Sequence, residues 1–166
     1  MNNMNKQKGF SLIELLIVVA IILIIAAIAI PNLLRSKMAA NEASAVGSLR
    51  SINTAEVTYA AAYPDTGYSL LLSSLGGAAC AAGTVATTTN ACLLDQVLST
   101  GNKSGYTFTA VGSVVGTATV NNVFVSTAVP QGIGTTGQRG FGSDQSGVIH
   151  YTLSGAAATV ADSALQ

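Results

Sequence analysis

From Leu15 to Ile30 the chain runs for sixteen consecutive residues without one polar side chain. A helix of that composition has no polar face, so it cannot lie on a globular core with one side in water. It belongs in a bilayer or among other apolar helices. Counted from Phe10 to Ile30 the segment is 21 residues long, and about 20 suffice to span a membrane. Two residues stand out: a single carboxylate, Glu14, just inside the segment, and Pro31 at its far end. A carboxylate at the centre of a membrane helix costs about 2.5–3.5 kcal/mol on insertion scales, and less near an end. A plain anchor has no use for that cost. A helix that leaves the bilayer to pack against copies of itself does, provided a neighbour supplies the counter-charge. A cleaved secretory signal is a poor description, because its apolar region is shorter and small residues precede its cut. A permanent single-pass anchor fits the length alone.

Ahead of the run lies a short leader carrying Lys6 and Lys8, followed by Gly9-Phe10-Ser11-Leu12-Ile13-Glu14. These residues resemble the N-terminal signature of the type IV pilin family, position by position, and the likeness extends over roughly residues 6–60. The resemblance implies that a prepilin peptidase cuts between Gly9 and Phe10 and that the new N-terminus, Phe10, is N-methylated. Glu14 then becomes the fifth residue of the mature chain, the family's assembly residue. Pro31 matches the proline that interrupts the N-terminal helix in many pilins. The same motif occurs in type II secretion pseudopilins and minor pilins. Orientation in the membrane follows from the resemblance rather than from charge, since Lys6 and Lys8 before the span are balanced by Arg35 and Lys37 after it.

Composition excludes other classes. Charged residues make up 8% of the chain, against about 25% in an ordinary globular protein. Two of the seven basic residues lie in the leader, which leaves five against seven acidic ones, a side-chain balance of −2. That offers no basic field to a nucleic acid. Seventeen glycines, with much alanine, serine and threonine, describe an externally displayed module whose weak surface charge favours association.

Past Pro31 the helical pattern resumes with one apolar face. Ala45, Leu49, Ile52, Glu56, Tyr59 and Tyr63 recur at spacings of four and three, a stripe suited to packing on a sheet, with Glu56 its one interruption. Asn41, Ser44, Ser48, Arg50 and Ser51 fall mostly elsewhere, toward solvent or neighbouring subunits. Pro31 removes a backbone hydrogen bond, so bending or local melting is expected there. Pro64 stops the helix and Asp65-Thr66-Gly67 continues as a turn. A helix from Phe10 to Tyr63 would hold 54 residues and reach roughly 80 Å.

Residues 64–104 read as a turn-rich connection broken by Gly76-Gly77 and the tract Gly83–Thr89. Cys80 and Cys92 are the only cysteines. In a chain bound for an oxidising compartment they are expected to form one disulfide closing a loop of 13 residues, with two buried free thiols as the other reading. From Gly105 the period changes to two. Strands are expected over Tyr106–Val111, Thr119–Ala128 before Pro130, Arg139–Gly142 and Val148–Leu153, with Ser143–Gly147 as a turn. The segment Arg139–Tyr151 resembles a stretch of the C-terminal sheet of many bacterial pilins.

The expected fold is therefore α+β, a long N-terminal helix packed on an antiparallel sheet of about four strands. Its parts are a leader at 1–9, an apolar helix at 10–30, an amphipathic helix at 31–63, a connection at 64–104, and a sheet domain with C-terminal tail at 105–166. No catalytic constellation is visible. His150 is the only histidine and is expected to pack or lie at the surface, Asp144 sits in a turn, and Asp144 and Asp162 are too isolated for a calcium loop. No enzyme activity, cofactor, metal or nucleic-acid site is expected. The resemblance implies a subunit that polymerises into a helical filament after storage in the bacterial inner membrane. Its implied partners are copies of itself, the prepilin peptidase, and an assembly platform with its ATPase. The alternatives are a pseudopilin and, outside the family, a bitopic protein with a small binding domain.

Overall fold

The computed structural model describes residues 10–77, 80 and 85–165, and the leader with Gly9 lies outside them. The chain divides into two compact units, residues 1–36 and 37–166. One helix, α1 (Leu12–Ala62), belongs to both. In the first unit every described residue is exposed except the half-buried Ala26, and the most apolar window reaches a mean hydropathy of 3.3 with none of it buried. No part of the described chain covers this surface.

In the second unit α1 buries Glu42, Ala45, Ser48, Leu49, Ile52, Ala55, Glu56 and Tyr59. The expected stripe is there, with Tyr63 half-buried at its end. Ser48 is a correction. Expected toward solvent, it is 5% exposed, because it sits beside Leu49 at the edge of the contact face and its side chain is small enough to be covered. Asn41 is half-buried and donates from Nδ2 to the Thr136 carbonyl at 2.8 Å. The last helical bond, Tyr63 N to Tyr59 O, immediately precedes Pro64.

The sheet is an antiparallel meander in the order β1-β2-β3-β4-β5-β6, comprising Asn102–Lys103, Tyr106–Ser113, Val123–Pro130, Gly140–Asp144, Ile149–Thr152 and Ser163–Ala164. Strand β2 alternates strictly between buried and exposed residues. Register aligns Phe108, Ala128 and Phe141 across the middle of the sheet, and all three are buried in the core that includes the α1 stripe. Six strands replace the expected four or so. The two extra ones are two-residue edges, too short for alternation to reveal.

The second long strand begins at Val123 rather than Thr119. The Asn122 side chain accepts from the Val115 N–H at 2.8 Å and donates to the Val115 carbonyl at 3.0 Å, which closes a loop before the strand starts. It also runs through Pro130. That proline needs no N–H toward β4, because β4 pairs only as far as Ala128. Beyond β5 the chain crosses the outer face of β4. A Cβ at Gly140 or Gly142 would collide with the carbonyl oxygens of Ala156 and Ala158, so glycine is what lets the tail lie directly on the strand.

The connection carries a short 3₁₀ turn at Leu72–Leu75 and one turn of helix, α2 (Gln96–Ser99), capped by Asp95, whose Oδ1 accepts from Leu98 N at 2.8 Å. Cys80 and Cys92 are joined by a disulfide across a Cα–Cα distance of 5.3 Å. Of the glycine tract, residues 83 and 84 lie outside the described part.

Candidate assembly site

The N-terminal site begins with backbone donors. Helix α1 starts at Leu12, so the N–H groups of its first turn lack helical acceptors. Glu14 answers one of its neighbours: its Oε2 accepts from the Ser11 N–H at 2.9 Å. Ser11-Leu12-Ile13-Glu14 is thus half of a capping box, a Ser-x-x-Glu signal that was legible in the sequence and that explains part of the carboxylate's presence. It does not consume the charge. Glu14 and Phe10 are both exposed, Phe10 at 84%. Behind them Leu15, Leu16, Ile17 and the aliphatic side chains onward to Ile30 are exposed as well. Pro31 lies inside α1, which is assigned as helix without a break across it.

In the second unit a buried latch ties α1 to the sheet. Glu42 is 8% exposed. Its Oε1 accepts from the backbone N–H of Gln138 at 2.9 Å and of Arg139 at 3.0 Å, and its Oε2 accepts from Arg139 Nε at 2.8 Å. Burial alone would raise its pKa, but these donors outweigh it and hold the carboxyl below the usual range. The Arg139 guanidinium lies 5.5 Å from the ring centres of both Phe141 and Tyr151. Tyr106 donates its hydroxyl to the Arg139 carbonyl at 2.8 Å, and burial, reinforced by the charge of Glu42, pushes that phenol up to about 12. The sequence held a signal for this latch. Glu42 stands three residues before Ala45, one step back along the same stripe.

Glu56, read as an interruption of the stripe, is fully buried. Its oxygens accept from Ser69 N at 2.9 Å and Ser69 Oγ at 2.7 Å. Among the described residues no cation pairs with it, and burial raises its pKa despite both hydrogen bonds. The remaining singled-out residues have local roles. Asp144 Oδ1 accepts from Ser146 N and Oγ, Asp162 Oδ2 accepts from Thr159 N and Oγ1, and His150 Nδ1 lies 2.8 Å from the Asp162 carbonyl. Among the described residues no three His, Cys, Asp or Glu side chains converge on a metal-sized site.

Residues 4–30 match the family model described as the prokaryotic N-terminal methylation motif. Over this N-terminal segment the chain is similar to type IV pilins. It is similar to the type IV wide pilus major component PilA4 of Thermus thermophilus, 62% identical over 39 residues, covering 24% of this chain and 30% of the relative. It is also similar to the type IV major pilin protein PilA of Myxococcus xanthus, 44% identical over 54 residues, covering 32% of this chain and 24% of the relative. The chain therefore spans less than a third of the length of these curated relatives. No solved structure matches it.

Proposed function

We propose that this chain is the structural subunit of a type IV pilus, polymerising through α1 into an extracellular filament. The observation that carries the reading is the unbroken apolar run from Leu15 to Ile30, exposed among the described residues at every position but the half-buried Ala26 and headed by one carboxylate. In this reading the precursor waits in the bacterial inner membrane, a prepilin peptidase cuts between Gly9 and Phe10, and Phe10 is N-methylated. An assembly platform and its ATPase then move the subunit into the filament. Residues 10–30 form the filament core, residues 31–63 connect it to the displayed domain, and a bend at Pro31 lets the two parts of the helix align independently.

The physics assigns Glu14 a deciding role. Lipid tails are as apolar as leucine, so moving the helix from bilayer to bundle gains little hydrophobic energy. Selectivity must come from packing and charge. The freed amine of Phe10 has a reference pKa near 8, stays basic on methylation, and can approach Glu14 of a preceding subunit. In a poorly polar bundle that contact is strongly attractive, although desolvation takes back much of it.

Two substitutions separate this role from helix capping. Glu14→Ala removes both the charge and the bond to Ser11, whereas Glu14→Gln keeps an acceptor for Ser11 and loses only the charge. Both should insert normally yet give no sheared filaments, with protein retained in the membrane fraction. Filaments at wild-type yield from Glu14→Ala would show that the carboxylate does not register subunits.

A further inference from the structure

Pairing within the chain leaves its charges segregated. Lys103 is taken by Asp95 at 3.2 Å and Arg139 by Glu42 at 2.8 Å. Among the described residues the cations without a carboxylate partner are Arg35, Lys37 and Arg50, all on α1. On the acidic side Asp144 and Asp162 are held by hydroxyls and N–H groups of their own turns, and Glu14 is held by Ser11. Asp65 has no such partner and lies exposed beside exposed Pro64 in the turn that ends α1.

Arg50 borders an open groove of about 520 Å³ between the outer face of α1 and the β4–β5 turn, lined by Arg50, Asn53, Thr54, Val57, Thr58 and Gly147. Its floor is both apolar and polar, since Val57 is 57% exposed and Thr54 and Thr58 turn their hydroxyls back to carbonyls of α1. A partner suited to it offers a small apolar surface next to a carboxylate. Pro64-Asp65 has that composition.

We propose that this groove receives the Pro64-Asp65 turn of a second copy of the chain, with Asp65 paired to Arg50 and Pro64 against Val57. The inference rests on the polymerisation reading and adds to it a specific contact in the displayed domain. Fifteen residues separate Arg50 from Asp65. Twelve of those steps lie on α1, which ends at Ala62, and rise about 18 Å, so parallel copies bring the two together only when one is shifted axially by roughly that distance. Copies in register instead oppose Arg50 to Arg50 and Asp65 to Asp65. The charge pattern thus rejects the unshifted arrangement and favours the staggered one.

The test uses full-length chain in cells that assemble filaments. Arg50→Asp and Asp65→Arg, each introducing a like-charge contact, should lower sheared filament yield roughly tenfold at unchanged membrane-fraction abundance. The double exchange should recover most of the yield. A chain carrying Arg50→Cys and Asp65→Cys should give a ladder of covalent multimers on mild oxidation of sheared filaments, whereas either single cysteine should not give a ladder. Undiminished yield from both single reversals, or filaments of the double-cysteine chain without a ladder, would overturn the pairing and leave polymerisation standing. Absence of filaments from the wild type, or failure of the Glu14 variants to block them, would instead strike the polymerisation reading itself.

Discussion

Replacing Glu42 by alanine removes the acceptor of three hydrogen bonds at once, those from Gln138 N, Arg139 N and Arg139 Nε. Deleting one partner of a fully buried pair costs about 3–5 kcal/mol. Here the Arg139 side chain is 35% exposed and can regain water, which discounts its share. Each orphaned backbone N–H adds about 1–1.5 kcal/mol. The expected loss is about 2–4 kcal/mol, a large part of a typical domain's stability. For a unit the size of residues 37–166 this lowers the melting temperature by about 10 °C. Near-ultraviolet circular dichroism of the detergent-solubilised, disulfide-intact chain reads the transition. Glu42→Gln should lose less, because one amide oxygen still serves the two N–H groups. Arg139→Ala should also lose less, since Glu42 keeps its backbone donors.

The pH dependence has a definite sign. Glu42 titrates below the ordinary carboxyl value in the folded chain, so its contribution is complete above that value and lost as pH falls through the folded pKa. Glu42→Gln should flatten that acid limb. A Glu42→Ala melting point within about 2 °C of wild type would refute the latch.

Serine at both Cys80 and Cys92 should lower stability by about 3 kcal/mol at most on the loop-entropy model, measured by denaturant unfolding against the oxidised wild type. Labelling of both thiols in folded, unreduced protein would contradict the bridge. Glu56 has a raised pKa, so it favours the folded state more as pH falls through that value; Glu56→Gln should stabilise the domain above it and remove this pH dependence. A Glu56→Gln chain that melts lower than wild type at pH 8 would show that the charge is tolerated better than its burial implies. Gly9→Val should leave an uncut precursor retaining Lys6 and Lys8 on intact-mass analysis, and full trimming at Phe10 would remove the assignment of the cut.

Much of this protein is written in local order. The apolar run from Leu15 to Ile30, the four-and-three stripe from Ala45 to Tyr63 and the alternation of Tyr106–Val111 each repeat at the period of the element they form, so neighbours in sequence suffice to recognise them. The N-terminal motif is equally local, a string of residues read in one place. Only the tertiary structure decided the rest. Glu42 meets the N–H groups of residues about 96 positions away, and nothing near either partner announces the other. Glu56 looked like a blemish until Ser69 was folded onto it. Strands β1 and β6 exist because longer neighbours offer open edges, not because two residues can show a period. Gly140 and Gly142 acquire their reason only when the tail at Ala156–Ala158 lies across them. Periodicity records which way a side chain faces, whereas pairing, register and close approach are properties of two distant segments together, and a single segment carries half of that information.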